Sequence, residues 1–128
     1  MSEIPKIDFE KTRSDIVEFI KSKVNEANSD GIAIGLSGGI DSTLVAYLAC
    51  DALGSENVFG IIMPSATTPA EDKIHGIEIA QNLGIEYKEI AIDSILNEFL
   101  ERYGDTKKGI WYCLYRKGRR FQKRQIRN

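Results

Sequence analysis

A short apolar run that ends at two adjacent glycines and opens into an apolar helix constrains this chain more than any other feature. Residues 31–36 are too few for a helix and suit a buried strand. Residues 37–41 form a glycine-rich turn, and residues 42–53 read as a helix closed by Gly54 in the left-handed conformation. The same unit then repeats its outline. Residues 58–63 are a second buried strand, and residues 64–69 a loop. Residues 70–83 are a helix with Ile74, Ile77, Ala80 and Leu83 inward and Gly84 closing it. Residues 86–92 are a third strand, and Asp93 caps a third helix running to Tyr103 and Gly104. Ahead of all this, residues 8–28 read as an amphipathic helix. Asp8 is its N-cap, and Phe9, Ile16, Phe19, Ile20, Val24 and Ala27 lie on its apolar stripe.

Alternating strands and helices imply an α/β fold with a parallel sheet and helices on its faces. Ligands of such sheets bind beyond the carboxyl ends of the strands, where the turn at 37–41 lies. In Leu36-Ser37-Gly38-Gly39-Ile40-Asp41-Ser42 the glycines leave room for a ligand against the main chain. Successive N–H groups can form an anion-binding nest there, and the following helix adds free N–H groups and a partial positive charge. Ser37 and Ser42 supply hydroxyls, and Asp41 is a carboxylate placed to hold Mg²⁺ beside phosphates. The dinucleotide fingerprint is excluded because glycines at 35, 38 and 39 do not fit its spacing. The Walker loop is excluded because no lysine stands in the turn. A plain strand-to-helix turn with serine as the cap is the competing reading.

The string Ser37-Gly38-Gly39-Ile40-Asp41-Ser42 resembles the phosphate-loop signature of the ATP pyrophosphatases. The leading helix, the run Ser42-Thr43-Leu44-Val45-Ala46-Tyr47-Leu48-Ala49 and the segment Ile61-Ile62-Met63-Pro64-Ser65 are similar to the ammonia-dependent, archaeal-type NAD synthetases within that superfamily. So are Thr68-Pro69-Ala70-Glu71-Asp72 and the Leu-Gly-Ile-Glu-Tyr run ending at Tyr87. The resemblance implies an adenine-nucleotide alpha-hydrolase-like (Rossmann-like) three-layer fold, of which the first three strands are present. It implies amidation of deamido-NAD by ammonia with ATP and Mg²⁺, giving NAD, AMP and pyrophosphate through an adenylated intermediate. Leu36, Ser37, Gly38, Gly39, Ile40, Asp41, Ser42, Met63 and Pro64 would bind ATP, the last two at adenine. Asp41 and Ser37 would act in catalysis, with Asp41 the metal ligand. A homodimer is the family's expected assembly. A non-catalytic ATP-binding fragment and a tRNA-modifying relative are the alternatives.

The resemblance spans residues 5–105, and the family's later signatures, G-N-x-x-x-R-x-R-M and T-x-N-x-S-E, are not found in residues 106–128. The expectation is therefore an ATP-binding N-terminal half over residues 1–105 and a basic tail foreign to the family, from a truncated or frame-shifted reading of a longer gene. Charge divides at the same place. Residues 1–105 hold eight basic and nineteen acidic residues, a net of −11, whereas residues 106–128 hold nine basic residues and no acid. Such asymmetry marks a tail distinct from the domain. Arg116, Lys117, Arg119, Arg120, Lys123, Arg124 and Arg127, interleaved with Trp111, Tyr112, Tyr115 and Phe121, could bind RNA by charge and stacking. A merely solvated end is the preferred reading, and nucleic acid is not the expected partner. No apolar run approaches the roughly 18 residues of a membrane span, and no signal peptide leads the chain, so cytoplasm is the expected location. Cys50, Cys113 and the single histidine, His75, cannot build a zinc site. Cys50 is read as a small core residue and His75 as a surface one.

Overall fold

The structure, a computed structural model, describes residues 3–102. Its elements are α1 (Phe9–Glu26), β1 (Ile32–Gly35), α2 (Ile40–Leu53), a 3₁₀ turn (Ser55–Asn57), β2 (Val58–Ile62), α3 (Ala70–Leu83), β3 (Glu86–Glu89) and α4 (Asp93–Arg102). By internal contacts the chain divides into Met1–Ala91, which holds α1 to β3, and Ile92–Asn128, which holds α4.

In the first unit the strands form one parallel sheet, as the alternation predicts, and their order in it is β1-β2-β3. Ile32 stands opposite Val58 and Gly35 opposite Ile61, while Phe59 stands opposite Glu86 and Ile62 opposite Glu89. In β2 the alternate residues Val58, Gly60 and Ile62 are buried, the period-two pattern of a strand with one face on a core. That core joins Leu36, Val58, Ile62 and Ile85 to Ala46 and Ala49 of α2 and Ala80 of α3. Ile32, Ile34 and Tyr87 pack against it, so α2 and α3 cover the same sheet face. Small residues at the helix contacts let both backbones approach the sheet closely. β3, with the sequence Glu-Tyr-Lys-Glu, buries only Tyr87 in part. Its charges suit an edge strand by opposing further pairing.

α1 rests against α2 through a narrow stripe. Val17, Ile20 and Val24 are half-buried, and Arg13 pairs with Asp51 of α2 at 2.7 Å. Both partners of that pair are substantially exposed, so it adds at most about 1 kcal/mol. Asp8 caps α1 by accepting from the Lys11 N–H at 3.1 Å, as expected. In the second unit, α4 starts with Leu96 N–H donating to the Ile92 carbonyl at 2.9 Å, and Arg102 pairs with Glu98 one turn earlier.

Several expectations need correction. The stripe of α1 is rotated: Phe9 and Phe19 are 81% and 61% exposed, and Ile16 is exposed as well. Ile74 of α3 is also exposed, and Gly76 takes the inward place, since a helix this close to the sheet has no room there for a branched side chain. α1 ends at Glu26, β1 spans only Ile32–Gly35, and β3 stops at Glu89 rather than at residue 92. Gly54 has positive φ, but at ψ 151° it is not in the left-handed helical region. Gly84, with φ 67° and ψ 27°, is. Asp93 is the first residue of α4 rather than a cap outside it, and Tyr103, Gly104 and the basic segment lie outside the described residues. Cys50 is half-buried at the margin of the core. Burial pushes its thiol above the ordinary value and the Asp51 and Glu56 carboxylates add to this, against a hydrogen bond with Ser55.

These placements separate two substitutions on one helix. Ala80→Leu overpacks a fully buried position and should lower unfolding stability by about 1–3 kcal/mol. Ile74→Glu, on the exposed face, should change it by less than about 0.5 kcal/mol. Urea denaturation of the two variants measures the contrast.

Candidate functional site

The carboxyl end of β1 is held from two sides before the turn begins. Leu36 donates its N–H to the Ile61 carbonyl at 2.9 Å, extending the pairing with β2, and its side chain is 3% exposed in the core. What Leu36 can offer a ligand is therefore main chain. Gly38 then takes φ +82°, a conformation that residues with a Cβ rarely adopt. A Cβ there would also collide with the Asp72 carbonyl group at the start of α3, lying 2.9 Å from its carbon. Gly39 is extended and serves as the N-cap of α2 without a side-chain cap. The helix thus begins at Ile40, two residues earlier than predicted, which places Asp41 and Ser42 in its first turn.

Hydroxyl groups hold the turn closed. Ser37 N–H donates to Ser42 Oγ at 3.3 Å, the two serine hydroxyls lie 3.0 Å apart, and Gly39 N–H donates to Ser37 Oγ at 3.2 Å. The Gly39 carbonyl accepts from Thr43 Oγ1 at 2.7 Å, from Thr43 N–H at 3.2 Å and from Ser42 Oγ at 3.3 Å. The N–H groups of Ile40, Asp41 and Ser42 precede the first intrahelical bond and are helix-end donors. Two serine oxygens therefore sit on main-chain N–H groups at an exposed helix start, where an anion's oxygens would also fit.

Met63 and Pro64 follow directly on β2. Met63 is 51% exposed, and its methyl group lies 3.6 Å from the Cβ direction of Gly35, beside the end of β1. The two segments that the sequence singles out, 36–42 and 63–64, thus meet at the same end of neighbouring strands. Beyond them Ser65 N–H donates to Thr68 Oγ1 at 2.9 Å, and the Ser65 hydroxyl lies within 3.2 Å of both threonine hydroxyls, a turn that holds itself together. His75 is exposed on α3, as expected. A groove of about 240 Å³ lined by Glu10, Arg13, Ser14, Val17 and Asp51 runs along α1 and holds none of the expected site residues.

Among the described residues, no group of three or more His, Cys, Asp or Glu side chains could enclose a metal ion. Asp41 is an exposed carboxylate and belongs to no such group. That suits Mg²⁺, which is held by one or two carboxylates together with phosphate oxygens, and does not suit an ion caged by protein alone. Sequence reasoning singled out Ser37, Asp41 and Ser42 but missed Thr43, whose hydroxyl anchors the Gly39 carbonyl. It also missed the approach of Asp72 to Gly38, a contact between distant segments that no local pattern encodes. Among the described residues, no helix is long and apolar enough to cross a membrane.

The chain matches the model of a family described as NAD synthase over residues 12–118, a stretch that runs past residue 105. It is 46% identical over 103 residues to an NH3-dependent NAD+ synthetase from Archaeoglobus fulgidus, covering 80% of this chain and 42% of that protein. An NH3-dependent NAD synthetase from Campylobacter jejuni, solved with a nitrate ion, superposes with TM-score 0.72 at 39% identity, over 78% of this chain and 43% of that one. A glutamine-dependent NAD+ synthetase from Acinetobacter baumannii, solved with ADP, superposes with TM-score 0.71 at 30% identity, over 80% and 20%. The chain thus spans about two fifths of the length of its ammonia-dependent relatives. With the glycine-rich turn, the parallel sheet and these matches in agreement, the chain belongs to the NAD synthase family.

Proposed function

We propose that this chain is the ATP-holding part of an ammonia-dependent NAD synthetase, with the turn at 37–42 as the seat of the nucleotide's terminal phosphates. The observation that carries the reading is the pair of N–H groups at Ser37 and Gly39, occupied by serine hydroxyls at the open start of α2. The A. fulgidus relative's name supplies ammonia dependence, and the A. baumannii neighbour was solved with an adenine nucleotide.

In the proposed reaction a carboxylate oxygen of deamido-NAD attacks the α-phosphorus of ATP. The α–β anhydride bond breaks and pyrophosphate departs. Ammonia then attacks the acyl carbon, AMP leaves and a proton is released. Main-chain N–H groups at 37–42 and the Ser37 and Ser42 hydroxyls would take up the charge that grows on pyrophosphate. Asp41 would hold Mg²⁺ against the β- and γ-phosphates, where the ion offsets their negative charge. Met63 and Pro64 would lie along adenine. Gly38 and Gly39 would admit the phosphates to the main chain, and Leu36 would anchor it.

A homodimer in the cytoplasm completes the reading. α2 carries an apolar surface at Ile40, Leu44, Val45 and Tyr47 that a partner would cover. A non-catalytic ATP-binding module is the second reading.

The deciding assay follows NAD and pyrophosphate with deamido-NAD, ATP, Mg²⁺ and ammonia. Turnover supports the synthetase. ATP binding with no pyrophosphate release leaves the module, and turnover with a different carboxylate only would move the chain elsewhere in the superfamily. In an active chain, Ser37→Ala should lower kcat by on the order of 100-fold, as for loss of one donor to a developing charge. Asp41→Asn should raise the Mg²⁺ concentration needed for half-maximal rate, and a metal titration of both proteins measures it.

A further inference from the structure

The first two turns of α3 lie directly beneath the turn that the proposed function assigns to phosphate. Asp72 meets Gly38 through backbone alone, with no side chain between them. One turn later, a Cβ at Gly76 would stand 3.2 Å from the Leu36 carbonyl oxygen and 3.6 Å from Ile62 Cγ1. Gly76 is buried although it sits in the middle of a helix, where glycine costs about 1 kcal/mol relative to alanine. The same stretch of α3 is tied elsewhere as well. Lys73 pairs with Glu89 at the end of β3 at 2.7 Å, and Asp72 N–H donates to the Pro69 carbonyl at 3.1 Å, where the loop after Met63 ends. α3 is therefore fixed to the sheet on one side and to that loop on the other, and the turn at 36–38 lies on it.

We propose that Gly76 is a positioning residue for the phosphate site: its missing side chain sets how closely α3 supports the main chain at Leu36 to Gly38, and so where the N–H groups of Ser37 and Gly39 stand. The inference rests on the phosphate reading of that turn. Alanine at 76 needs its neighbours to give by a few tenths of an ångström and gains helix propensity, so the site accepts it. Leucine, also a good helix former, cannot fit between the helix and the Leu36 carbonyl without lifting the turn.

The test compares the full chain with Gly76→Ala, Gly76→Leu and Gly84→Ala. The last strains the far end of α3, where φ is +67° and nothing lies within 4 Å, so it loads the same helix without touching the turn. Pyrophosphate affinity should stay within about threefold for Gly76→Ala and Gly84→Ala and fall by at least about tenfold for Gly76→Leu, since a shift on the order of 1 Å can cost far more. Without ligand, the Ser37 and Gly39 amides should exchange hydrogen faster in Gly76→Leu alone. A folded Gly76→Leu with wild-type affinity and exchange overturns the proposal, as does an equal loss in Gly84→Ala. Should Gly76→Leu not fold, the wild-type chain decides. Pyrophosphate should slow exchange at residues 72–76 more than at 81–84, and equal slowing overturns the proposal. A wild-type chain that does not bind pyrophosphate refutes the phosphate reading, while the ligand-free exchange comparison still judges the contact.

Discussion

Everything at the site depends on one backbone constraint, the narrow passage of residues 36–38 between β2 and α3. Leu36 is pinned by its N–H to Ile61 and by its side chain in the core. Gly38, at positive φ, lies against Asp72 with no side chain between. Leu36 and Gly38 therefore fix the path of the four residues, 36–39, that turn the chain from strand to helix. The N–H groups of Ser37 and Gly39 meet serine hydroxyls beside the start of α2. The hydroxyls of Ser37, Ser42 and Thr43 complete what glycine begins, giving the turn's polar groups partners within the turn itself.

The position of the turn was legible in the sequence because its signal is local. Two glycines, two serines and an acid within one strand-to-helix turn carry their meaning in order and spacing, and the structure puts them at the end of the sheet that the alternation implies. The parallel sheet was legible for the same reason, since strands alternating with helices are joined by crossovers. What failed was the assignment of faces. Phe9, Ile16 and Phe19 share helical spacing with Val17, Ile20 and Val24, and periodicity alone cannot say which of two apolar stripes meets α2. Ile74 misled in the same way, because the inward position of α3 is held by a glycine that carries no hydrophobic signal. Asp72 against Gly38 is a tertiary contact, and a single sequence holds no trace of it.

Among the described residues β1 pairs with β2 alone, and α2 is apolar on the side away from the sheet as well as toward it. A helix apolar all round is ordinarily buried all round. In the ammonia-dependent relatives the matched stretch makes up about two fifths of the chain.

The central claim is that main-chain N–H groups from Ser37 to Ser42 receive phosphate. Its most direct measurement is an amide chemical-shift titration of the labelled chain with ATP and Mg²⁺. The account predicts saturable shifts largest at Ser37, Gly39, Ile40, Asp41 and Ser42, with smaller ones at Met63. Saturable shifts centred instead on Glu10, Arg13 and Asp51, or none in a folded chain, would contradict it.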